Sequence, residues 1–214
     1  MTDSSSASRD VAAARYVDIQ HNSDGSQIAD RLGAWLASRL PEGADPAVSD
    51  FDANATNGMS SDTVLFDATW QEAGDVRKQG FVARIAPDES ELLVFPRYDL
   101  AQQFDTIAKV AELSDVPVPE LWWSESDPGV LGRSFFIMTR VAGKVPPDVL
   151  PYTFGDNWLF DATSDDRARL QAQMIDVLAG IQNIDNAAER FANLELSSAG
   201  STHLERHLAD VTDW

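Results

Sequence analysis

Residues 63–71 read Thr-Val-Leu-Phe-Asp-Ala-Thr-Trp-Gln, and residues 80–86 read Gly-Phe-Val-Ala-Arg-Ile-Ala. Both are short runs rich in β-branched and aromatic residues, a composition typical of strands. A similar run occupies residues 48–55, and turn-forming segments at 57–58 and 72–79 separate the runs. Short connections of this kind join antiparallel neighbours. The sequence therefore predicts three consecutive antiparallel strands, a meander.

Helices and two more strands surround this meander. Apolar residues recur at helical spacing over residues 26–40, and a second amphipathic helix opens at Asp99 and ends before Val116. Two further strand candidates follow at residues 121–124 and 134–141, and the second is apolar enough to be buried on both faces. The predicted order after the leading helix is β-β-β-α-β-β, which indicates the α+β class.

The two ends of the chain differ in character. Residues 1–25 are rich in Ser, Asp and Ala and predict a disordered arm with one short helix around residues 11–17. Residues 143–160 are rich in Pro, Gly and aromatic residues and predict an ordered connection. The longest helix is expected from Asp165 and a last helix from about Ser201.

Composition limits the classes of function. The chain has 35 acidic and 16 basic side chains among 214 residues, a formal charge of −19 that repels a phosphate backbone and argues against nucleic-acid binding. It has no cysteine, which excludes disulfides and thiolate metal sites. No apolar run approaches the roughly 20 residues that span a bilayer, and the N-terminus lacks the order of a signal peptide. These features predict a soluble cytoplasmic protein that does not enter membranes.

Four local motifs, in their order along the chain, resemble those of the aminoglycoside phosphotransferase family. They are Gly58-Met-Ser-Ser-Asp-Thr63, Phe81-Val-Ala-Arg84, Val116-Pro-Val-Pro119 and Phe136-Ile-Met-Thr-Arg-Val-Ala-Gly143. The resemblance implies a protein-kinase-like fold. Its nucleotide-binding lobe, an antiparallel sheet with one main helix, would span residues 26–141. The linker and first helices of an incomplete α-helical lobe would follow over residues 142–214.

The resemblance implies ATP-dependent phosphoryl transfer to a hydroxyl of a small molecule, with the nucleotide and the acceptor as partners. Such transfer depends on positioning the triphosphate and neutralising its charge. A tight turn through Gly58, Met59, Ser60 and Ser61 would place backbone N–H groups against phosphate oxygens. An ordinary hairpin turn is the alternative, because Gly and Ser are routine turn residues.

The resemblance also implies a fixed cation on the third strand. Alternation places Arg84 and Val82 on one face of that strand, so Arg84 is the candidate, although kinase-like folds usually use Lys. Gln103 stands where the family places a Glu that pairs with the cation. The alternatives are a strand arginine whose head group reaches solvent and an exposed helical glutamine. The lysines of the chain lie outside the predicted strands: Lys78, Lys109 and Lys144.

The end of the last strand resembles the hinge that binds adenine in this family. Backbone groups of Met138, Thr139, Arg140 and Val141 would bond the adenine edge, while the side chains of Val82 and Met138 would pack on the ring. The alternative is that this apolar strand is simply part of the core.

Two other groups of residues have both a functional and a structural interpretation. His203 and His207 have the spacing that chelates zinc on a helix, but no third ligand cluster follows them, and two surface histidines are the simpler interpretation. Trp122 and Trp123 could line an acceptor site or fill the core. We therefore predict no metal site within this chain.

The catalytic loop of the family, His-Gly-Asp-x-x-x-x-Asn, does not occur in the sequence. Its Asp and Asn orient the acceptor and hold the metal, so the resemblance implies that the catalytic residues and the Mg²⁺ ligands lie outside this chain. Residues 202–214 are similar to the helix that precedes this loop, and Gln182 stands where a preceding helix commonly carries His. We therefore expect a chain that stops before its catalytic residues.

Two consequences and two alternatives follow from that expectation. The last helices would have apolar faces that favour self-association or a complementing C-terminal lobe. One alternative to a phosphotransferase is a catalytically inactive nucleotide-binding or regulatory module. The other is a structural α+β domain without a ligand.

Overall fold

The computed structural model describes residues 25–52, 61–87, 97–146 and 152–213. The predicted N-terminal arm and its short helix lie outside these residues, apart from residue 25. The helices are α1 (Gly25–Arg39), α2 (Leu100–Leu113), α3 (Pro128–Leu131), α4 (Trp158–Asp161), α5 (Ser164–Gln182), α6 (Ala187–Arg190) and α7 (His203–Asp213). The strands are β1 (Ala47–Asp52), β2 (Asp62–Glu72), β3 (Asp75–Ile85), β4 (Leu121–Glu125) and β5 (Phe135–Thr139). Short 3-10 turns occur at Tyr152–Phe154 and Ala192–Leu194.

The strands form a single five-stranded sheet in the order β1-β2-β3-β5-β4. β1 pairs with β2, β2 with β3, and β3 with β5, each time antiparallel. The predicted meander and the α+β class are therefore confirmed. β5 is the last of these strands along the chain, but it lies inside the sheet, between β3 and β4.

The β2–β3 hairpin differs from its prediction. Its turn consists of Ala73 and Gly74, which both have positive φ, at 53° and 90°. This is the handedness that two-residue hairpins favour. β3 therefore begins at Asp75, and the prediction that residues 72–79 form a turn is wrong. Lys78 consequently lies within a strand, contrary to the sequence-based expectation.

Both ends of β5 and the segment before it also differ from prediction. β5 ends at Thr139, so the predicted strand through residue 141 is two residues too long. The first three residues of β5 are buried, as the apolar run predicted. The short helix α3 was not predicted. It begins after Asp127, whose carboxylate accepts a hydrogen bond from the Gly129 N–H, and Pro128 occupies its first turn.

One face of the sheet forms the hydrophobic core of its unit. Alternate residues of β2, β3 and β5 point to this face, and α1 covers it. Trp122 packs on the Phe81 ring edge to face, with centroids 5.1 Å apart. Both tryptophans of β4 therefore belong to the packing around the core. The buried residues of this face and of α1 include Val64, Phe66, Ala68, Trp70, Phe81, Ala83, Ile85, Phe135, Ile137, Leu32, Trp35 and Leu36.

Hydrogen bonds to the Glu125 carboxylate connect α1 with the end of β4. Glu125 accepts hydrogen bonds from Trp35 Nε1 at 3.0 Å, Arg39 Nη2 at 2.5 Å and the Asp127 backbone N–H at 2.9 Å. These donors, the backbone N–H foremost, lower the pKa of Glu125 to about 2. The ionised carboxylate thus joins a helix to a strand far along the chain.

Contacts divide the chain into two compact units. One contains the residues up to Ala101 together with Trp122–Thr139, and the other contains Gln102–Leu121 together with Arg140–Trp214. The sheet and α1 belong to the first unit. None of the helices in the described ranges combines the length and hydropathy that a bilayer crossing requires.

In the second unit, α2 is anchored to the turn after α6. Gln102 Nε2 donates to the Asn193 carbonyl oxygen at 2.6 Å, and Lys109 Nζ donates to Asn193 Oδ1 at 2.6 Å. Lys109 Nζ also lies 5.9 Å from the ring centroid of Phe191. α5 begins with Thr163 as its N-cap. Several large apolar side chains of α5 and α7 are exposed, as the sequence predicted: Met174, Ile175, Leu178, Ile181, Leu204, Leu208 and Val211.

Candidate functional site

The face of the sheet opposite the core carries most of the described candidate residues. Register places Leu65 of β2 opposite Val82 of β3, and Val82 opposite Met138 of β5. Cross-strand partners share a face, so these three side chains form an apolar strip across the middle of the sheet. In the same way Arg84 stands between Thr63 and Phe136. A cation therefore lies next to an apolar strip on one surface.

Arg84 is the most informative residue of this face. Its Nη2 donates to Ser61 Oγ at 2.5 Å, and Ser61 itself is buried. Arg84 Nε is also buried and has no hydrogen-bond partner among the described residues. Burial lowers the pKa of the Arg84 guanidinium, although an arginine stays protonated in proteins. The result is a half-buried positive charge that includes a buried donor nitrogen without a partner among the described residues.

This environment bears on the two interpretations of Arg84. An arginine that merely reaches solvent keeps its head group hydrated. Here a buried Nε without a partner costs free energy, about 1–3 kcal/mol for an ordinary polar group and more for a charged one. The geometry therefore argues against an arginine whose head group simply reaches solvent.

A second arginine lies at the same end of the sheet. Arg133, in the loop after α3, forms an ion pair with Asp62 at 2.8 Å. Its Nη1 also donates to the Ala86 carbonyl oxygen at 2.8 Å. Asp62 begins β2 and Ala86 follows the end of β3, so one guanidinium joins the ends of these two strands.

The predicted hinge residues are divided between the two units. Met138 and Thr139 end β5 in the first unit, whereas Arg140 and Val141 follow the strand and belong to the second unit. Thr139 Oγ1 accepts a hydrogen bond from Trp122 Nε1 at 2.9 Å. The Thr139 side chain is thus committed to the core, and only its backbone remains as a candidate contact.

The remaining residues predicted to contact the nucleotide lie either in the second unit or outside the described residues. Gln103 is half-buried on α2 and belongs to the second unit. Gly58, Met59 and Ser60 lie outside the described residues, so only Ser61 of the predicted phosphate loop has a described position.

The surroundings of the histidine pair are unfavourable for a metal ion. Arg206 Nη2 lies 3.1 Å from His203 Nδ1, and the same Nη2 forms an ion pair with Glu195 at 2.8 Å. A guanidinium beside an imidazole nitrogen opposes the binding of a dication there. The described part of the chain contains no group of three or more His, Asp or Glu side chains that could hold a metal.

Three residues near this face were missed by the sequence analysis. Leu65 completes the apolar strip, and Arg133 joins the strand ends. Lys78 forms an ion pair at 2.9 Å with Asp67, a buried carboxylate two positions further along β2 from Leu65. Strand alternation could have placed Leu65 on the correct face, but the other two depend on strand register and loop geometry, which no sequence pattern encodes.

Comparison with known proteins adds a family and a fold. The sequence profile of the phosphotransferase enzyme family matches residues 54–212. The crystal structure of a Ralstonia eutropha protein, proposed to be an aminoglycoside phosphotransferase, superposes with a TM-score of 0.51 at 20% sequence identity. The match covers 86% of this chain and 46% of that chain, so this chain spans less than half the length of that protein. At this identity the likeness shows a shared fold.

Proposed function

Since the chain belongs to the phosphotransferase enzyme family, we propose that it carries the nucleotide-binding part of an ATP-dependent phosphotransferase that acts on a hydroxyl of a small molecule. The family predicted from the sequence motifs is thereby confirmed. The nucleotide, its binding residues and the acceptor are our proposal. The observation that carries it is the half-buried Arg84, whose Nε lacks a partner among the described residues and whose Nη2 contacts the Ser61 hydroxyl.

Arg84 has the chemistry that a triphosphate requires. Phosphoryl transfer is catalysed by positioning and by neutralising charge, and a fixed guanidinium does both. Arginine binds phosphate oxygens through a planar fork, and burial strengthens each charge-assisted bond. The Ser61 hydroxyl, which now accepts from Arg84, can also donate to a phosphate oxygen. Backbone groups of Gly58, Met59 and Ser60 would complete the phosphate contacts.

The apolar strip suits the adenine ring. Leu65, Val82 and Met138 are neighbours on one surface, and Val82 lies directly between the other two. A flat heterocycle packed on this strip would place its polar edge toward the backbone at the end of β5. Thr139, together with Arg140 and Val141, is the proposed hinge. Gln103 remains a proposed residue of the nucleotide site, where its amide oxygen is a weaker acceptor than a carboxylate.

Mg²⁺ would accompany the triphosphate and neutralise its charge. The described residues offer no three-ligand carboxylate group for it. We propose that the metal ligands and the group that orients the acceptor are supplied from outside residues 1–214, because the His-Gly-Asp-x-x-x-x-Asn motif does not occur in them. We further propose residues 26–141 as the nucleotide-binding lobe and 142–214 as the linker and opening helices of a second lobe.

A nucleotide-binding or regulatory module without catalysis is the second candidate. Two observations favour it: Gln103 stands where the resemblance implies an acid, and Arg84 stands where it implies a lysine. The two candidates share the same nucleotide site. They differ in whether these residues, together with those that carry the catalytic motif, turn over ATP.

The proposal is tested by thermal unfolding of the chain in the presence of MgATP. A ligand at about 100 times its Kd stabilises the folded state by about 2.7 kcal/mol, so the midpoint temperature should rise with nucleotide concentration. Replacing Arg84 with Met keeps an unbranched apolar stem and removes the guanidinium with its charge. We expect Arg84→Met to weaken MgATP binding by about tenfold or more, since it removes a charge-assisted contact.

The matched control is Arg77→Met, on the same strand. Arg77 is exposed and pairs with Glu72 at 3.1 Å, at the opposite end of the hairpin. It should leave MgATP binding unchanged. A wild-type chain that is not stabilised by millimolar MgATP would refute the nucleotide site. Equal affinities of wild type and Arg84→Met would remove Arg84 from it.

A further inference from the structure

The geometry points to Arg133 as a positioning residue for the candidate phosphate-binding pair, Arg84 and Ser61. This inference rests on the proposed function and adds to it a residue that lies outside the strands, in the loop between α3 and β5. Neither the sequence motifs nor the family resemblance assigned a role to Arg133.

The contacts of Arg133 fall on both strands that carry the pair. Its Nη2 lies 2.8 Å from Asp62 Oδ2, and its Nη1 donates to the Ala86 carbonyl oxygen at 2.8 Å. The backbone continues the connection, because the Ala86 N–H donates to the Ser134 carbonyl oxygen at 2.9 Å. The loop is therefore fastened to the end of β3 by two hydrogen bonds and to the start of β2 by an ion pair.

These anchor points adjoin the candidate ligand-binding groups. Asp62 directly follows Ser61, and Ala86 lies two residues after Arg84. Asp62 is paired with Ile85 on the core side of the sheet, whereas Arg84 belongs to the opposite face. The guanidiniums of Arg133 and Arg84 thus contact the start of β2 from opposite faces of the sheet. Because the arginine fork is planar and rigid, its two contacts fix the relative placement of the strand ends.

The two arginines have different electrostatic surroundings. The charge of Arg133 is balanced by Asp62, and its side chain is only 21% exposed. Arg84 Nη2 contacts a neutral hydroxyl, that of Ser61, and Arg84 Nε has no partner among the described residues. Arg133 is therefore neutralised within the protein, while Arg84 keeps its charge for a ligand. A displacement of about 1 Å in such a group is enough to lose much of its effect, so the support from Arg133 matters for phosphate binding.

The test compares MgATP with adenosine, which lacks the phosphates, by calorimetric titration of the full 214-residue chain. Arg133→Met should raise the Kd for MgATP about three- to tenfold, since the phosphate contacts lose their support, and change the Kd for adenosine by less than about twofold. Asp62→Asn should have the same selective effect. Arg133→Lys, which keeps the ion pair without the fork, should restore part of the MgATP affinity.

Arg77→Met is the matched control, because it breaks an arginine–carboxylate pair at the other end of the same hairpin. It should leave both affinities unchanged. The inference is overturned if Arg133→Met binds MgATP as tightly as the wild type, if MgATP and adenosine lose affinity equally, or if Arg77→Met has the same selective effect. If Arg133→Met does not fold, the same comparison of MgATP and adenosine affinities in Asp62→Asn and Arg133→Lys tests the inference. A wild-type chain that binds neither MgATP nor adenosine overturns the proposed function, and this inference with it.

Discussion

At the scale of single residues, Gly180 marks a close approach within the second unit. A Cβ at this position of α5 would lie 2.6 Å from Val116 Cγ2, a distance that real Cβ contacts do not show. Val116 follows α2 in the segment of alternating Val and Pro that the sequence analysis singled out. The glycine is therefore required by packing and not by backbone conformation.

Replacing Gly180 with Ala should destabilise the protein. Alanine normally stabilises a helix by about 0.5–1 kcal/mol relative to glycine, but here overpacking should cost about 1–3 kcal/mol and reverse the sign. Urea unfolding measures the difference. The double variant with Val116→Ala should recover stability relative to the sum of the single changes. A Gly180→Ala protein more stable than the wild type would contradict this packing.

The candidate site shows what a single residue reveals only in three dimensions. Strand alternation correctly placed Arg84 and Val82 on one face. It could not show that Arg84 Nε is buried without a described partner, or that Ser61 Oγ accepts from Nη2. Those facts depend on how two strands are registered, since register is set by turn geometry and by the whole pattern of packing.

At the scale of elements, the attachment of α1 to β4 depends on the ionisation of Glu125. The folded-state pKa is about 2, below the ordinary value of 4.5. A depressed carboxyl pKa contributes stability that is fully present above the unfolded-state pKa and is lost as the pH falls through the folded-state pKa. The contribution should therefore disappear between about pH 4.5 and pH 2.

Glu125→Gln should lower the free energy of unfolding by about 1.5–3 kcal/mol at neutral pH, because charge-assisted hydrogen bonds are lost. The difference from the wild type should shrink as the pH is lowered through that interval. Chemical unfolding at a series of pH values measures it. Glu72→Gln, which removes an exposed ion pair with Arg77, is the control and should cost under about 1 kcal/mol. A constant difference across the pH series would mean that Glu125 does not act through its charge.

The predictability of the elements follows from whether their apolar side chains recur with a regular period. α1 and α5 were found because their apolar residues recur at helical spacing. The start of β3 was missed because Asp75, Val76, Arg77 and Lys78 are all exposed, so no alternation marks that strand. α3 is a single turn and carries no periodicity. The end of β5 was misplaced because Arg140 and Val141 continue its composition beyond its last pairing.

At the scale of the whole molecule, the net charge opposes compactness. A formal charge of −19 on 214 residues produces electrostatic repulsion, which becomes stronger when folding brings the charges closer together. Raising sodium chloride from about 10 mM to about 500 mM shortens the Debye length from about 30 Å to under about 5 Å. The midpoint of thermal unfolding should rise by several degrees over this range. Potassium chloride should have the same effect, and a midpoint that falls with either salt would contradict the prediction.

The position of β5 has a consequence for the order of events during synthesis. The hydrogen bond between Trp35 and Glu125 joins residues 90 positions apart, and the sheet lacks its inner member until Thr139 has been made. At elongation rates of about 5–20 residues per second, α1 is made several seconds before the sheet that it covers is complete. During that interval its tryptophan and leucines are exposed on the ribosome. Until β5 has been made, the apolar face of α1 has no complete sheet on which to pack.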